Sequence, residues 1–198
     1  MNRYFKPAVL TLLLFVFGAV GADAQRFDRY QGTAVAFGVG PRAQMVSRNF
    51  DLRLERRTSE AEVARYRDIL RDQGHDALWR ELSGNDLGTV GFGGRLGPRV
   101  VAAIDRTEGT QQRLMVIFER WLGFGEFRAG ARSLDYPFGV LEMVFDSPNA
   151  SGDGTFIGAA RIRLGRDRAT NEEQIELESF GTFPGRLMGV RQIERRAL

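Results

Sequence analysis

The chain has 198 residues, the size of one compact domain, and its 43% apolar and 27% charged residues are typical of a globular protein. It contains no cysteine, which excludes disulfide bonds, a cysteine nucleophile and thiolate metal sites. Residues 1–24 carry two basic residues and one acidic residue, so the formal net charge falls from +3 to +2 without them. A nearly neutral chain gives little reason to expect a nucleic acid as partner.

The amino terminus predicts a signal peptide over residues 1–24. Arg3 and Lys6 give it a positive start, residues 8–20 form an almost uninterrupted apolar run, and the Ala-Asp-Ala sequence ending at Ala24 has the small-x-small cleavage pattern. The apolar run is shorter than the ~20 residues that a spanning helix needs, which makes an uncleaved anchor the weaker alternative.

Cleavage after Ala24 would release residues 25–198 as a single exported domain, periplasmic or extracellular, and cleavage after Ala22 is the alternative. No later segment is apolar enough to span a bilayer, so we expect no transmembrane segment in this mature domain. Because the domain has no cysteine, its stability must come from a hydrophobic core.

The first part of the domain predicts a β-hairpin. Residues 32–39 and 46–56 alternate apolar and polar residues on either side of a turn that contains Gly40 and Pro41. The expected core face of this hairpin consists of Val35, Phe37, Val39, Phe50, Leu52 and Leu54.

A helical segment follows over residues 59–83. Ser59 and Glu62 have the spacing of a capping box, in which each side chain bonds the backbone N–H of the other residue. Gly74 interrupts the helical period, so we expect either one helix broken at Gly74 or two short helices. The apolar residues at helical spacing are Val63, Tyr66, Ile69, Leu70, Ala77, Leu78 and Leu82.

Strand patterns return after residue 87, and the first hairpin there crosses the polar turn at residues 107–110. Pairing Ile104 with Leu114 also pairs Asp105 with Arg113, so apolar residues and opposite charges match in one register. We therefore expect this register.

A second hairpin near the carboxyl terminus gives a more specific match. If Ile162 faces Leu177, the same register creates a second apolar pair and two pairs of opposite charge. These further pairs are Leu164 with Ile175, Arg163 with Glu176, and Arg161 with Glu178.

Strands at residues 139–145 and 185–193 bring the expected number to about eight or nine, and the short connections favour antiparallel pairing. The predicted fold class is α+β. It consists of a mainly antiparallel, strongly curved or barrel-like sheet, with the helical segment 59–83 packed on one face or plugging one end.

His75 is the only histidine, and it stands beside Asp76. Adjacent helical residues do not face each other, and no serine lies in a G-x-S-x-G elbow, so the elements of a Ser–His–Asp relay are missing. We assign no catalytic residue and expect a structural or solvent-facing role for His75.

No cofactor or metal ligand is predicted either. A zinc or iron site needs more histidine or cysteine than the chain has. Residues 149–154 match part of a calcium-loop frame, but Ala160 occupies the twelfth position, where that frame needs glutamate, so we interpret the segment as a hairpin turn. The glycine-rich residues 91–97 are not followed by a helix that could hold a phosphate.

A group of aromatic residues near position 124 is the candidate for ligand contact. Trp121, Phe124 and Phe127 surround two glycines, and Arg132 and Tyr136 follow closely. The alternative is that these rings fold over the open end of the sheet and belong to the core.

Four segments in this order after a signal peptide resemble a family of small exported bacterial proteins found especially in acidobacteria-like genomes. They are TSEAEVARYRDILRDQGHDALWREL, RSLDYPFG, GDGTFIGAARIRL and ESFGTFPGRLMGVR, and the resemblance covers roughly residues 30 to 193. It implies export and a single domain. Because no activity is assigned to that family, the resemblance implies no catalytic residues.

The expected function is that of an exported, non-enzymatic protein that binds a small apolar ligand or an envelope component. The ligand would lie between sheet and helix or against the aromatic residues near position 124. One alternative is a hydrolase with two carboxylates ~5–10 Å apart in one cleft, at least one of them with a raised pKa. Another is a subunit of an envelope assembly.

Overall fold

A computed structural model describes residues 27–37, 45–120, 132–147, 150–166, 173–180 and 184–194. These residues form nine strands, two helices and a single 3-10 turn at Arg132–Asp135. The strands are β1 (Asp28–Phe37), β2 (Met45–Leu54), β3 (Gly88–Phe92), β4 (Val100–Glu108), β5 (Gln111–Glu119), β6 (Phe138–Phe145), β7 (Gly152–Arg166), β8 (Glu173–Ser179) and β9 (Gly185–Glu194). The helices are α1 (Glu60–Gln73) and α2 (His75–Leu82).

All nine strands belong to one antiparallel sheet with the order β3-β2-β1-β9-β7-β6-β5-β4, and β8 pairs with β7 beside this path. The sheet curves until its two ends approach each other. Thr89 forms an isolated bridge with Arg99, and the N–H of Leu87 donates to the carbonyl of Val100 at 2.9 Å. The predicted α+β class with a strongly curved, mainly antiparallel sheet is therefore confirmed.

The linker between β2 and α1 fastens the edge of β4. The N–H of Thr58 donates to the carbonyl of Ala103 at 2.8 Å, and the N–H of Ala103 donates to the hydroxyl of Thr58 at 2.9 Å. Thr58 is buried, so this reciprocal pair satisfies polar groups that would otherwise lose water without replacement. The start of α1 is thereby held against β4.

Arg57, in the same linker between β2 and α1, joins β1 to β4. Its guanidinium forms an ion pair with Asp28 at 2.9 Å and donates to the hydroxyl of Tyr30 at 2.8 Å. The same group bonds Asp105 of β4 at 2.9 Å. One cation thus links strands from the two halves of the curved sheet.

The sheet separates two hydrophobic cores, because its central strands carry apolar residues on both faces. Four successive residues of β4, Val100 to Ala103, are completely buried. The inner core fills the concave side of the sheet, and the outer core lies between the sheet and the two helices. In the outer core, Tyr66, Leu70, Leu78 and Leu82 pack against Ala102, Ile117, Phe138, Val140 and Ile162.

The predicted break in the helical segment is confirmed. Gly74 separates α1 from α2 and has a φ of 80°, a conformation that residues with a Cβ rarely adopt. The capping box is also present, since Ser59 and Glu62 each bond the backbone of the other. Both helices lie on the outer face of the sheet, in agreement with the predicted packing on one face.

The predicted register of the β7–β8 hairpin is confirmed in full. Ile162 lies opposite Leu177, and the three further pairs have the predicted partners. Arg163 contacts the carboxylates of Glu176 at 3.3 Å and Glu178 at 3.6 Å. The charged residues of this hairpin occupy one face and its apolar residues the other, so the sequence pattern determines the register.

The predicted register of the β4–β5 hairpin is wrong by one residue. Ile104 lies opposite Met115, and Asp105 opposite Leu114. A two-residue turn at Gly109 and Thr110, with Gly109 at a φ of 63°, sets the alignment. Both faces of β4 are apolar near its start, so shifting the register by one residue would not place a polar side chain in the core or an apolar one in solvent there. The apolar pattern alone therefore does not fix the register.

The β1–β2 hairpin is confirmed, and Phe50, Leu52 and Leu54 of β2 are buried as predicted. The predicted core face of β1 is wrong, because Val35 is only half-buried while Tyr30 and Ala34 are buried. The ring of Phe50 fills the space beside Gly32, where an added Cβ would lie 2.8 Å from it. Small residues on β1 thus accommodate large ones from β2. Phe37 and Val39, also on the predicted face, have side chains outside the described residues.

Replacing Leu78 by aspartate is expected to unfold the domain. Leu78 is 3% exposed in the outer core, where a carboxylate would have no partner. We expect the free energy of unfolding to fall by about 3 kcal/mol or more, measured by urea denaturation. Arg80→Asp, at an exposed position of the same helix, should change it by about 1 kcal/mol or less. Equal effects of the two substitutions would contradict this packing.

A candidate ligand site between helix and sheet

A cavity of about 480 Å³ lies between α1, the second half of α2 and the outer face of the sheet; we call it the helix–sheet cavity. Its floor is formed by outward-facing residues of β4 and β5. Its first wall is the inner side of the helices, and its second wall is the part of the β7–β8 hairpin that faces them. The apolar lining residues are Val63, Tyr66, Leu70, Leu78, Leu82, Ala102, Ile104, Met115, Ile117, Ile162, Leu164, Ile175 and Leu177.

The second wall exists because β7 is longer than its neighbour β6. Pairing between these strands ends at Phe138 and Ala160, whereas β7 continues to Arg166 and pairs there with β8. This β7–β8 ribbon (residues 161–166 and 173–178) carries Leu164 and Leu177 on the side that faces the cavity. The apolar surface therefore extends beyond the area that the helices cover.

The cavity residues nearest to solvent are not completely buried. Met115, Leu164 and Leu177 pack against the outer core but are only partly buried, and Ile175 is 38% exposed. Protein interiors are close-packed, and complete burial of such side chains is the usual result when an element covers them. Here α1 covers only part of the apolar surface of the sheet and ribbon.

An ion pair joins the helix to the ribbon at the mouth of the cavity. Arg71, in the last turn of α1, bonds Glu173 at the start of β8 at 3.0 Å. Arg71 also bonds Asp68 at 2.9 Å. The hydrogen bond to Glu173 raises the pKa of the Arg71 guanidinium further above its usual value. Since both side chains are exposed, this ion pair adds little to the free energy of unfolding, and its main effect is to position the ribbon relative to the helix.

The charged residues that line the cavity are Arg67, Arg71, Arg106 and Glu173, three cations and one anion. Arg67 follows Val63 by one helical turn, and Arg106 follows Ile104 on the same face of β4. Unlike Arg71, neither Arg67 nor Arg106 makes a hydrogen bond or ion pair with another residue in the described ranges. Within the described part of the chain, the mouth of the cavity therefore has two cations without a partner.

The inner end of the cavity is fixed by a polar contact. The side-chain amide of Asn85 donates to the hydroxyl of Tyr66 at 2.9 Å and to the carbonyl of Val101 at 3.0 Å. This links α1 to β4 through the loop that follows α2. The position of the helix wall is thus determined at both ends, by Thr58 and by Asn85.

His75 positions the ribbon wall. Its Nδ1 lies 3.0 Å from the carbonyl oxygen of Ile162, on the part of β7 that has no β6 neighbour. Because a carbonyl only accepts, Nδ1 carries the proton. The ring is buried and meets Phe138 edge-to-face at 5.8 Å. Burial lowers the pKa of His75, and the hydrogen bond to Ile162 opposes that effect only partly.

Of the five predicted ligand contacts, only Tyr136 has a described side chain. Trp121, Phe124 and Phe127 fall outside the described residues, and so does the side chain of Arg132, whose backbone belongs to the 3-10 turn. Tyr136 is buried, donates to Glu178 at 2.9 Å and packs on Phe180 with ring centroids 5.0 Å apart. It lines neither the helix–sheet cavity nor the groove described next.

A second, wider depression of about 890 Å³ lies on the outer face of β1, β2, β3 and β9; we call it the outer groove. Its charged residues are Arg29, Arg53, Arg95, Arg191 and Asp51. Burial acts to raise the pKa of Asp51, but hydrogen bonds from Arg29 and Gln31 outweigh it and lower the value. The groove is open and polar, in contrast to the helix–sheet cavity.

The described residues provide little for hydrolytic chemistry. Counting the described residues only, each of the two depressions is lined by a single carboxylate, Glu173 in one and Asp51 in the other. The carboxyl groups with shifted pKa values are Asp51 and Glu62, and both values are lowered, that of Glu62 mainly by the backbone N–H of Ser59. Over the described ranges, no three His, Asp or Glu residues are grouped closely enough to hold a metal ion.

No helix in the described part of the chain is long and apolar enough to cross a membrane. No protein-family model, curated protein or solved structure matches the chain. The resemblance to exported bacterial proteins therefore stays a prediction.

The helix–sheet cavity occupies one of the two locations that the sequence suggested for a ligand, but most of its residues were not predicted as ligand contacts. A space between sheet and helix was expected, and the pairs Ile162–Leu177 and Leu164–Ile175 were predicted. The two arginines at the mouth were not identified. The available signal was the placement of Arg67 and Arg106 directly after apolar residues on the same helix and strand faces.

The stability of the domain should depend on pH through His75. Its pKa in the folded state lies below the ordinary value of 6.5, so the unfolded chain binds a proton first as the pH falls. The contribution of His75 to the free energy of unfolding is therefore complete above pH 6.5 and declines below it. This contribution stops changing once the pH is below the pKa of His75 in the folded state.

The variant His75→Asn keeps an N–H donor near the position of Nδ1 but does not titrate. The difference in free energy of unfolding between wild type and variant should be constant above pH 6.5 and change below it. Urea denaturation over a pH series measures this difference. The same pH dependence in both proteins would show that His75 is not buried in its neutral form.

Proposed function

We propose that this chain is an exported, non-enzymatic protein that binds a small apolar molecule in the helix–sheet cavity. The observation that carries the proposal is the cavity itself: about 480 Å³ with thirteen apolar lining residues between helix and sheet. This volume lies within the ~300–1,000 Å³ of typical small-molecule sites, which are mostly apolar with a few polar groups.

The concave side of the sheet is a less suitable place for a ligand. Aromatic rings fill much of it: the centroids of Phe92 and Phe156 are 5.2 Å apart, and Phe118 stacks on Phe156 at 6.5 Å. Leu141 and Met143 from β6 are completely buried in the same core. The outer side, where coverage is incomplete, is the better candidate.

A binding role is supported over a hydrolytic one by the chemistry of the lining. Glu173 is the only carboxylate there among the described residues, and Arg71 holds it in an ion pair. The Nδ1 of His75 donates to the carbonyl of Ile162 in the ribbon, so this histidine has a structural role in the wall of the cavity. The features that remain are apolar surface and cationic side chains, which bind molecules without transforming them.

Export is supported by residues 1–24, whose charge and apolar pattern are those of a cleaved signal peptide. A cysteine-free domain with a continuous core on each face of its sheet is suited to an oxidising compartment, since it contains no thiol to protect. Outside the inner membrane, apolar ligands are available from the envelope.

Titration of the protein with decanoate tests this proposal. Isothermal calorimetry should give saturable binding with one ligand per chain. Ile175→Trp places a larger side chain into the cavity and should weaken binding by about tenfold or more.

The matched control is Ile193→Trp. Ile193 is on a strand and 46% exposed, comparable to Ile175, but it lines the outer groove. This substitution should leave the affinity unchanged. Absence of saturable binding by the wild type, or an equal loss in both variants, would contradict ligand binding in the cavity.

A further inference from the structure

Resting on the proposed function, we infer that the ligand of the helix–sheet cavity is a single apolar chain with an anionic oxygen head, held by Arg67 and Arg106. A fatty carboxylate and an alkyl phosphate monoester share this chemistry. Apart from these two arginines and the Arg71–Glu173 ion pair, the described lining of the cavity is apolar, so the head would lie at its polar end.

The charge of the lining supports an anionic head. Among the described residues it contains three arginines and one glutamate, a formal charge of +2. Glu173 is bound to Arg71 at 3.0 Å, and its negative charge is therefore compensated locally. Asp68, which does not line the cavity, bonds the same arginine. Arg67 and Arg106 are left without a protein partner among the described residues.

The positions of Arg67 and Arg106 also favour an anionic head. Val63, Arg67 and Arg71 follow each other at four-residue intervals, so they lie along one flank of α1. Arg106 extends the outward face of β4 past Ile104. Both side chains are exposed while the apolar lining continues directly behind them. A molecule with its chain on that lining would therefore have its head beside these guanidinium groups.

The chemistry of the arginine side chain favours a carboxylate or a phosphate as this head. The planar guanidinium presents several N–H donors that match the two oxygens of a carboxylate or phosphate. Burying an apolar chain while the head remains at a solvent-exposed mouth avoids desolvating the charge completely. The volume of about 480 Å³ lies toward the small end of ligand sites and suits one chain rather than two.

The competing explanation is that both arginines merely lay their methylene groups along apolar surface and keep their charge in water. That arrangement would attract a neutral chain as well as an anionic one. The two explanations therefore differ in how strongly affinity depends on the charge of the head.

The test compares decanoate, decyl phosphate and 1-decanol, which have chains of equal length, by calorimetry with the intact domain. We expect at least one anion to bind about tenfold more tightly than 1-decanol. The tighter of the two anions identifies the head. This preference should shrink at high salt, because the arginines are exposed.

Arg106→Gln and Arg67→Gln should each weaken binding of the preferred anion by about five- to tenfold and leave 1-decanol unchanged. Arg106→Lys should retain part of the preference, because it keeps the charge but loses the planar fork. Arg191→Gln is the matched control, since it removes an exposed strand arginine from the outer groove and should have no effect.

The outcomes separate the two proposals. If the anions and 1-decanol bind equally and Ile175→Trp weakens all three, the cavity binds apolar chains but the assigned head is wrong. If none of the three binds, the proposed function fails and the anionic head fails with it. If Arg191→Gln reduces the preference for anions as much as Arg106→Gln does, the head does not contact Arg106.

Discussion

The presence of apolar residues on both faces of the central strands is the constraint on which the rest of the structure depends. Val100 to Ala103 are all completely buried, which requires a cover on each side of the sheet. Curvature provides the inner cover, because the strands turn their concave faces toward one another. The two helices provide the outer cover over Ala102, Ile117 and Ile162. That outer cover is incomplete, and the helix–sheet cavity is the result.

The linker between β2 and α1 couples the two covers. Arg57 ties Asp28 and Tyr30 of β1 to Asp105 of β4, while Thr58 fastens the backbone of β4. Burial alone would lower the pKa of the Arg57 guanidinium, but Tyr30 and the two carboxylates raise it. Burial raises the pKa of Tyr30, so its hydroxyl stays protonated. The same contacts that close the sheet therefore determine where α1 begins.

The sequence correctly predicted the elements in which one face is polar and the other apolar. In the β7–β8 hairpin one face is charged and the other apolar, and every predicted pair is present. In the β4–β5 hairpin both faces are apolar near Val101 and Ala102, so the pattern was compatible with two registers and the turn decided between them. Gly74 was predicted to break the helix because its effect is local.

The site could be predicted only in part, because it depends on differences in element length. The cavity requires β7 to continue past the end of β6 at Phe138, and α1 to end near Glu173. Neither follows from periodicity. His75 was judged unsuited to catalysis for lack of partners, but its contact with the carbonyl of Ile162 is possible because β6 does not extend along that part of β7. Long-range placement of this kind becomes visible only in three dimensions.

We place the apolar part of the proposed ligand against Ile104, Leu164 and Leu177. Nuclear Overhauser effects between decanoate and the methyl groups of the protein measure this position directly. We predict cross-peaks from the decanoate chain to these three residues, with its carboxylate end nearest to Ile104 and Arg106. Cross-peaks confined to Leu96 and Ile193 in the outer groove, or none to the cavity at saturating decanoate, would contradict the account.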